Sequence, residues 1–121
     1  MIARPSKQIV FLGSSLKNLT AFPLPAKRVS GHVLRLAQEG ERHADARPLR
    51  GFGSAQVLEM RVDHATDTYR TVYTVSLGDV VYVLHAFQPK RHLETIARRL
   101  AQAQELQAQR DQERGERDNG R

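Results

Sequence analysis

The apolar positions fall into three rhythms along the chain, and each rhythm predicts an element. Gln8-Ile-Val-Phe-Leu12 is a short apolar run closed by Gly13, which predicts a strand. Leu16, Leu19 and Phe22 recur at helical spacing, with Ser14 or Ser15 placed to cap a brief helix. Pro23 and Pro25 end it, and Pro25 is suited to the first turn of a second helix. Val29, Val33, Leu36 and Ala37 then follow at three- and four-residue intervals, and Gly40 fits the left-handed position just beyond the end. Lys27, Arg28 and Arg35 fall off that stripe.

From Leu49 onward the rhythm changes. Leu58, Met60 and Val62 alternate with Glu59 and Arg61, the pattern of a half-buried strand. After a turn at Ala65-Thr66-Asp67, Tyr69 to Leu77 is rich in β-branched and aromatic residues, and Gly78-Asp79 marks a hairpin turn. Val80 to Phe87 is apolar at almost every position, so it predicts a central strand covered on both faces. Beyond Pro89, the residues Leu93, Ile96, Ala97, Leu100 and Ala103 form one helical stripe. Two helices, a three-stranded antiparallel meander and a last helix make an α+β domain over residues 1–110. In this reading the helices cover one face of a small antiparallel sheet, the first strand joins at an edge, and the other face is left open for function. Asp111 to Arg121 contains no apolar residue, which predicts a disordered tail.

Composition then narrows the chemistry. Nineteen Lys and Arg against 13 Asp and Glu leave a formal charge of +6 in 121 residues, with no cysteine. A thiol nucleophile, a disulfide framework and thiolate zinc sites are excluded. No run reaches the 18 or so apolar residues of a membrane span, and the first residues do not read as a signal peptide, so a cytoplasmic protein without membrane contact is expected. None of the five histidines stands in a metal-ligand spacing. Gly51-Phe52-Gly53 lacks the rest of a phosphate-binding loop. Neither a metal nor a cofactor is expected.

The basic residues instead gather at strand ends. Arg47 and Arg50 precede the Gly51 turn, Arg61 and Arg70 face one another if the hairpin is tight, and Lys90, Arg91 and His92 follow the last strand. With Tyr73 and His85 between them, they would form an electropositive surface carrying ring side chains, suited to phosphates and stacked bases. Such a surface supports metal-free RNA cleavage, in which a ribose 2′-OH attacks its own phosphate. That reaction needs a proton acceptor, a proton donor and cations on the developing charge. His85 or His92 could move protons, Arg70, Arg50 and Lys90 could stabilise charge, and Tyr73 could stack or donate. Against this, a histidine in an apolar strand is more often a satisfied core residue, and Glu59 fits an ion-pair partner of an arginine better than a base.

The segments Gly13-Ser-Ser-Leu-Lys-Asn-Leu19, Leu34-Arg-Leu-Ala-Gln-Glu-Gly40 and Pro48-Leu-Arg-Gly-Phe-Gly53 occur in this order. Val57-Leu-Glu59, Tyr69-Arg-Thr-Val-Tyr73 and Val81-Tyr-Val-Leu-His-Ala-Phe-Gln88 follow them. Together they resemble the phage-derived, HigB-type branch of the RelE/ParE toxin superfamily over about residues 13–104. The resemblance implies a small antiparallel sheet with two N-terminal helices and one C-terminal helix. It also implies the toxin of a type II toxin–antitoxin module, a metal-independent endoribonuclease that cuts mRNA on the ribosome. The implied partner is a HigA-like helix-turn-helix antitoxin. By position it implies Arg50, Arg70, Tyr73 and Lys90; taken with the basic surface read above, the catalytic candidates are Arg70, Tyr73, Lys90 and His92, and the RNA-binding ones Arg50, Arg61, Arg91 and His85. Relatives usually continue Phe-Gln-Lys-Lys-Ser into a loop with Thr-Pro, whereas here Pro89-Lys90-Arg91-His92 leads directly to the helix. That departure keeps two alternatives open: a ParE-like, non-catalytic inhibitor of DNA gyrase, and an inactive toxin-fold binding protein.

Overall fold

The computed structural model describes residues 6–53, 55–88 and 93–119. In chain order the elements are β1 (Gln8–Phe11), α1 (Ser15–Thr20), α2 (Leu24–Gln38), β2 (Arg47–Pro48), β3 (Val57–His64), β4 (Asp67–Thr74), β5 (Val80–Phe87) and α3 (Leu93–Asn119). The sheet order is β1-β5-β4-β3-β2. The meander β3-β4-β5 is antiparallel and β1 joins at one edge, as the sequence predicts; its pairing with β5 is parallel, which the sequence reading of an antiparallel sheet did not include. The α+β class and the helix order stand.

Local chemistry explains the ends of α2. Pro25 sits in its first turn, where a missing N–H costs nothing. At its C-terminus Gly40 takes a φ of +83°, its N–H donates to the Ala37 carbonyl (3.0 Å), and Glu41 N–H donates to the Leu36 carbonyl (2.8 Å). Those two bonds close the helix in a Schellman motif. At α1, Ser14 occupies the cap position, but its side chain makes no cap hydrogen bond. Instead its Oγ accepts from the Asn18 amide at 3.2 Å.

The expectation of one covered face does not hold. Leu19 of α1, Phe22 of the link after it, and Ala26, Val33 and Leu34 of α2 pack on Leu58, Met60, Tyr73, Val81 and Val83 on one side of the sheet. Ile96, Leu100 and Ala103 of α3 pack on Val72, Val80, Tyr82 and Leu84 on the other. The reason lies in β5, whose eight residues are all buried: apolar side chains alternating to both faces need a cover on each. The α3 helix rests chiefly on β5, so its cover stops short of the far ends of β3 and β4, and Arg61 and Asp63 remain exposed at that end.

Two further differences from the sequence reading follow. The two-residue β2 pairs with Leu58 and Glu59 and was too short to register as a period. The segment from Asp111 onward, expected to be disordered, continues α3 to Asn119. It is held along the helix by Gln107 to Asp111 (2.9 Å) and Gln112 to Glu116 (3.2 Å). Contacts to the sheet come from Arg110, which donates to Gln8 Oε1 (2.8 Å), and from Arg114 at 3.6 Å from Asp79. Side-chain pairs at i and i+4 stabilise this last stretch of α3, which has no apolar residue of its own.

Candidate functional site

The part of the sheet that α3 leaves open is built from β3, β4 and the end of β5. Register places Arg61 opposite Arg70, Glu59 opposite Val72, and Arg47 opposite Glu59, all on the α3 side. Two arginines directly across an antiparallel pair repel one another. Glu59 resolves this: its Oε1 accepts from Arg61 Nε at 2.9 Å and lies 3.8 Å from Arg70 Nη1. The carboxylate is only 4% exposed, whereas the Arg70 side chain is 16% and the Arg61 side chain 53% exposed. Glu59 is thus the ion-pair partner that the sequence reading preferred over a base. Arg70 is a held cation and Arg61 a presented one.

His85 joins this face through a β-bulge. Tyr73 pairs with Val83 and Val72 pairs with His85, so Leu84 is the extra residue and both Leu84 and His85 look toward α3. From α3, Arg99 Nη1 donates to the Leu84 carbonyl at 3.0 Å and contacts His85 Nδ1 at 2.9 Å. The imidazole stacks on Phe87 with centroids 4.6 Å apart and planes at 21°. Phe87 in turn pairs with Arg70 across the sheet. Burial holds the Arg99 guanidinium below its ordinary range, with the neighbouring Arg98 charge acting the same way. Sequence reasoning missed Arg99, although a signal existed: it lies three residues after Ile96 and one before Leu100, on the flank of the buried stripe.

Other candidates are placed elsewhere. Tyr73 belongs to the opposite face, 1% exposed among the α1 and α2 side chains, because it is one residue out of phase with Arg70 and Val72. Among the described residues its phenol oxygen has no hydrogen-bond partner, and burial pushes its pKa up to about 12, opposed by the Arg42 charge. The expected position of Tyr73 among the basic residues is corrected accordingly. Arg50 is exposed in the loop after β2, at the far end of β3, since Leu49 N–H donates to the Val57 carbonyl. It lines a separate cleft of about 530 Å³ with Lys7, Arg42, Leu49, Phe52 and Val57. Arg61 lies four residues beyond Val57, roughly 13 Å along the strand. The structure therefore sets Arg61 beside Arg70, places His85 on the same face of the neighbouring strand, and does not bring Arg50 or Tyr73 to them. Lys90, Arg91 and His92 lie outside the described residues.

His32 and His43 meet edge to face, centroids 5.8 Å apart, but among the described residues no three His, Asp or Glu side chains gather as a metal-binding group. Among the same residues, no helix is long and apolar enough to cross a membrane.

Comparison with known proteins agrees with this geometry. The family model described as "Phage derived protein Gp49-like (DUF891)" matches residues 17–108, most of the chain. No curated protein sequence matches it significantly. Among solved structures, a double arginine-to-alanine mutant of the E. coli toxin RelE in the free state superimposes with a TM-score of 0.52 at 16% identity. That match covers 81% of this chain and 97% of RelE. At that identity the likeness speaks for the fold alone, which is the sheet and helix arrangement described above. The chain belongs to the phage derived protein Gp49-like family, built on the fold of the toxin RelE.

Proposed function

We propose that this protein is the toxin of a type II toxin–antitoxin pair and inhibits translation as a ribosome-dependent, metal-independent mRNA endoribonuclease. Family membership and the RelE fold support the toxin reading. The observation that carries the RNA reading is the Arg61–Glu59–Arg70 arrangement on the open end of the sheet. A single carboxylate orders two guanidinium groups there, and an RNA phosphate meets a fixed fork of donors. In the reaction the ribose 2′-oxygen bonds to phosphorus while the bond to the 5′ oxygen breaks. One proton leaves the 2′-OH and one reaches the departing oxygen. Arg70 and Arg61 stabilise the charge that develops on the phosphate. Lys90 and His92, next in sequence after β5, are the candidates for proton transfer, and Arg91 for a further phosphate contact. The partners on this reading are mRNA on the ribosome and a HigA-like helix-turn-helix antitoxin, all in the cytoplasm.

The test is induced expression in growing cells with mapping of mRNA ends. Growth arrest with cuts inside translated codons, lost in Arg70→Ala, is the expected result. Growth arrest with intact mRNA refutes ribonuclease action. A second reading, a non-catalytic ParE-like inhibitor of gyrase or an inactive toxin-fold binder, draws on the 5% exposure of His85 and the burial of Tyr73, which leave neither ring accessible for proton transfer. Arrest with DNA damage supports the gyrase form, and absence of arrest supports the inactive form.

A further inference from the structure

We infer that the cleft beside Arg50 is a second RNA subsite, which takes one nucleotide of the same strand whose phosphate meets Arg61. The strand is that of the ribonuclease reading, on which this assignment rests. The cleft and the path to it are features of the fold.

Size and lining set the class of ligand. At about 530 Å³ the cleft has the volume of a small-molecule site, and much of its wall is apolar. Leu49 and Val57 line it, and so does Phe52, which is half-buried against the apolar cluster those two residues belong to. Lys7, Arg42 and Arg50 supply three cations against one acid, Glu41. Arg42 is held in place, because its Nε and Nη2 donate to the Ala46 carbonyl at 3.2 and 2.9 Å. A ligand with both an anionic group and a flat ring matches both parts of this lining, phosphate to guanidinium and base to Phe52. Gly51 (φ +102°) and Gly53 (φ +62°) flank Phe52, and a Cβ on either meets no described atom within 4 Å. Their backbone angles, and not packing, therefore require glycine on both sides of the ring.

The path from Arg61 to the cleft is cationic as well. Val57, Glu59 and Arg61 alternate onto the α3 side of β3, and Leu49 N–H, donating to the Val57 carbonyl at 2.8 Å, sets the cleft level with Val57. Arg47, exposed on the edge strand opposite Glu59, stands between. Arg61, Arg47 and Arg50 thus succeed one another along the sheet edge at intervals of two to three residues, roughly 7–10 Å. Single-stranded RNA is held in this way, by a basic groove that tracks its repeating phosphates while bases stack on rings. An acidic polypeptide matches the charge but has no flat ring at each repeat, so the RNA strand is the better fit.

Fluorescence anisotropy of the full chain with 2′-O-methyl oligouridines, which lack the attacking hydroxyl and stay intact, tests the reach. A strand of about eight nucleotides can occupy Arg61 and the cleft together, whereas one of about two cannot. The gain in affinity from the short strand to the long one should be at least about tenfold in the wild type. It should fall to about twofold in Arg50→Gln and in Phe52→Leu, since either leaves one working site. Amide dispersion reports whether each variant is folded, and Arg50, exposed in its loop, is the safer of the two. A single 4-thiouridine moved along the long strand should cross-link, at one position, to the segment 49–58. A gain that persists in both folded variants, or cross-links that avoid this segment, overturns the inference. So does 5′-UMP binding the cleft as tightly as the long strand, which makes it a free-nucleotide site. Poly-glutamate that suppresses the cross-link as well as RNA does assigns the cleft to an acidic polypeptide instead. Failure to bind any strand defeats the RNA reading together with this one, whereas binding without the gain defeats this one alone.

Discussion

Glu59→Gln should cost more than its single charge suggests, because the carboxylate keeps two opposed arginines apart. The substitution retains shape and one acceptor oxygen but removes the negative charge that lies between Arg61 and Arg70. Breaking a fully buried ion pair costs about 3–5 kcal/mol, and an exposed pair is worth roughly 0.2–1 kcal/mol. Arg61, at 53% exposure, belongs near the exposed limit, and Arg70, at 16%, nearer the buried one. Adding a small cross-strand repulsion gives a loss of about 2–3 kcal/mol. For a domain of this size that corresponds to a melting point lower by roughly 6–12 °C. The assay is thermal unfolding followed by circular dichroism for wild type, Glu59→Gln, Arg61→Gln and the double variant. Removing Arg61 as well should recover part of the loss, since the repulsion disappears with it, and the cycle should show a non-additive term of at least about 0.5 kcal/mol. About 1 M salt should shrink the Arg61 share most, as screening acts on exposed charges. A Glu59→Gln melting point within about 2 °C of wild type, or a strictly additive cycle, would refute the view that Glu59 organises this face.

Further outcomes test other parts of the molecule. Tyr73→Phe should leave any RNA cleavage intact and be neutral or slightly stabilising, by up to about 1 kcal/mol, because the buried hydroxyl has no partner among the described residues to lose. With the folded-state phenol at about 12 against ~10 unfolded, the unfolded chain loses that proton first. The wild type should therefore hold its stability up to pH ~10 and lose roughly 2–3 kcal/mol between 10 and 12. Denaturant titrations at stepped pH should show this alkaline loss reduced in Tyr73→Phe. Ile96→Ala, at a fully buried position under α3, should destabilise by about 2–4 kcal/mol in urea unfolding. Arg61→Ala should weaken binding to single-stranded RNA and reduce the salt dependence of log K by about one unit of slope, as measured by fluorescence anisotropy. An unchanged slope would remove Arg61 from the phosphate contacts.

What the sequence made legible was the material whose physics is local. The Pro25 start and Gly40 stop of α2, the doubly apolar β5 and the Arg61–Arg70 pairing follow from turn chemistry, period and register. The C-terminal helix past Asp111 was not legible, since its support comes from polar i,i+4 pairs and from contacts reaching Gln8 and Asp79, far away in sequence. Arg50 looked adjacent to Arg61 only because both lie near β3; their places at opposite ends of that strand depend on where β2 pairs, and β2 is two residues long.

The face occupied by each ring side chain was the deepest gap, and one residue accounts for half of it. Counting by twos along β5 from Val83 would put His85 among the α1 and α2 side chains, where it would be a core histidine of the ordinary kind. The extra residue, Leu84, turns His85 to the α3 side beside Arg99, and Ala86 and Phe87 exchange faces with it. On β4 no bulge residue intervenes, so Tyr73 keeps strict alternation and lands opposite Arg70. A bulge is set by the mismatch between two paired strands and leaves no mark in either strand alone. Strict alternation takes Tyr73 off the basic face while the β5 bulge turns His85 to the α3 side, so the composition of the site is decided by strand pairing and not by the residue types each strand contains.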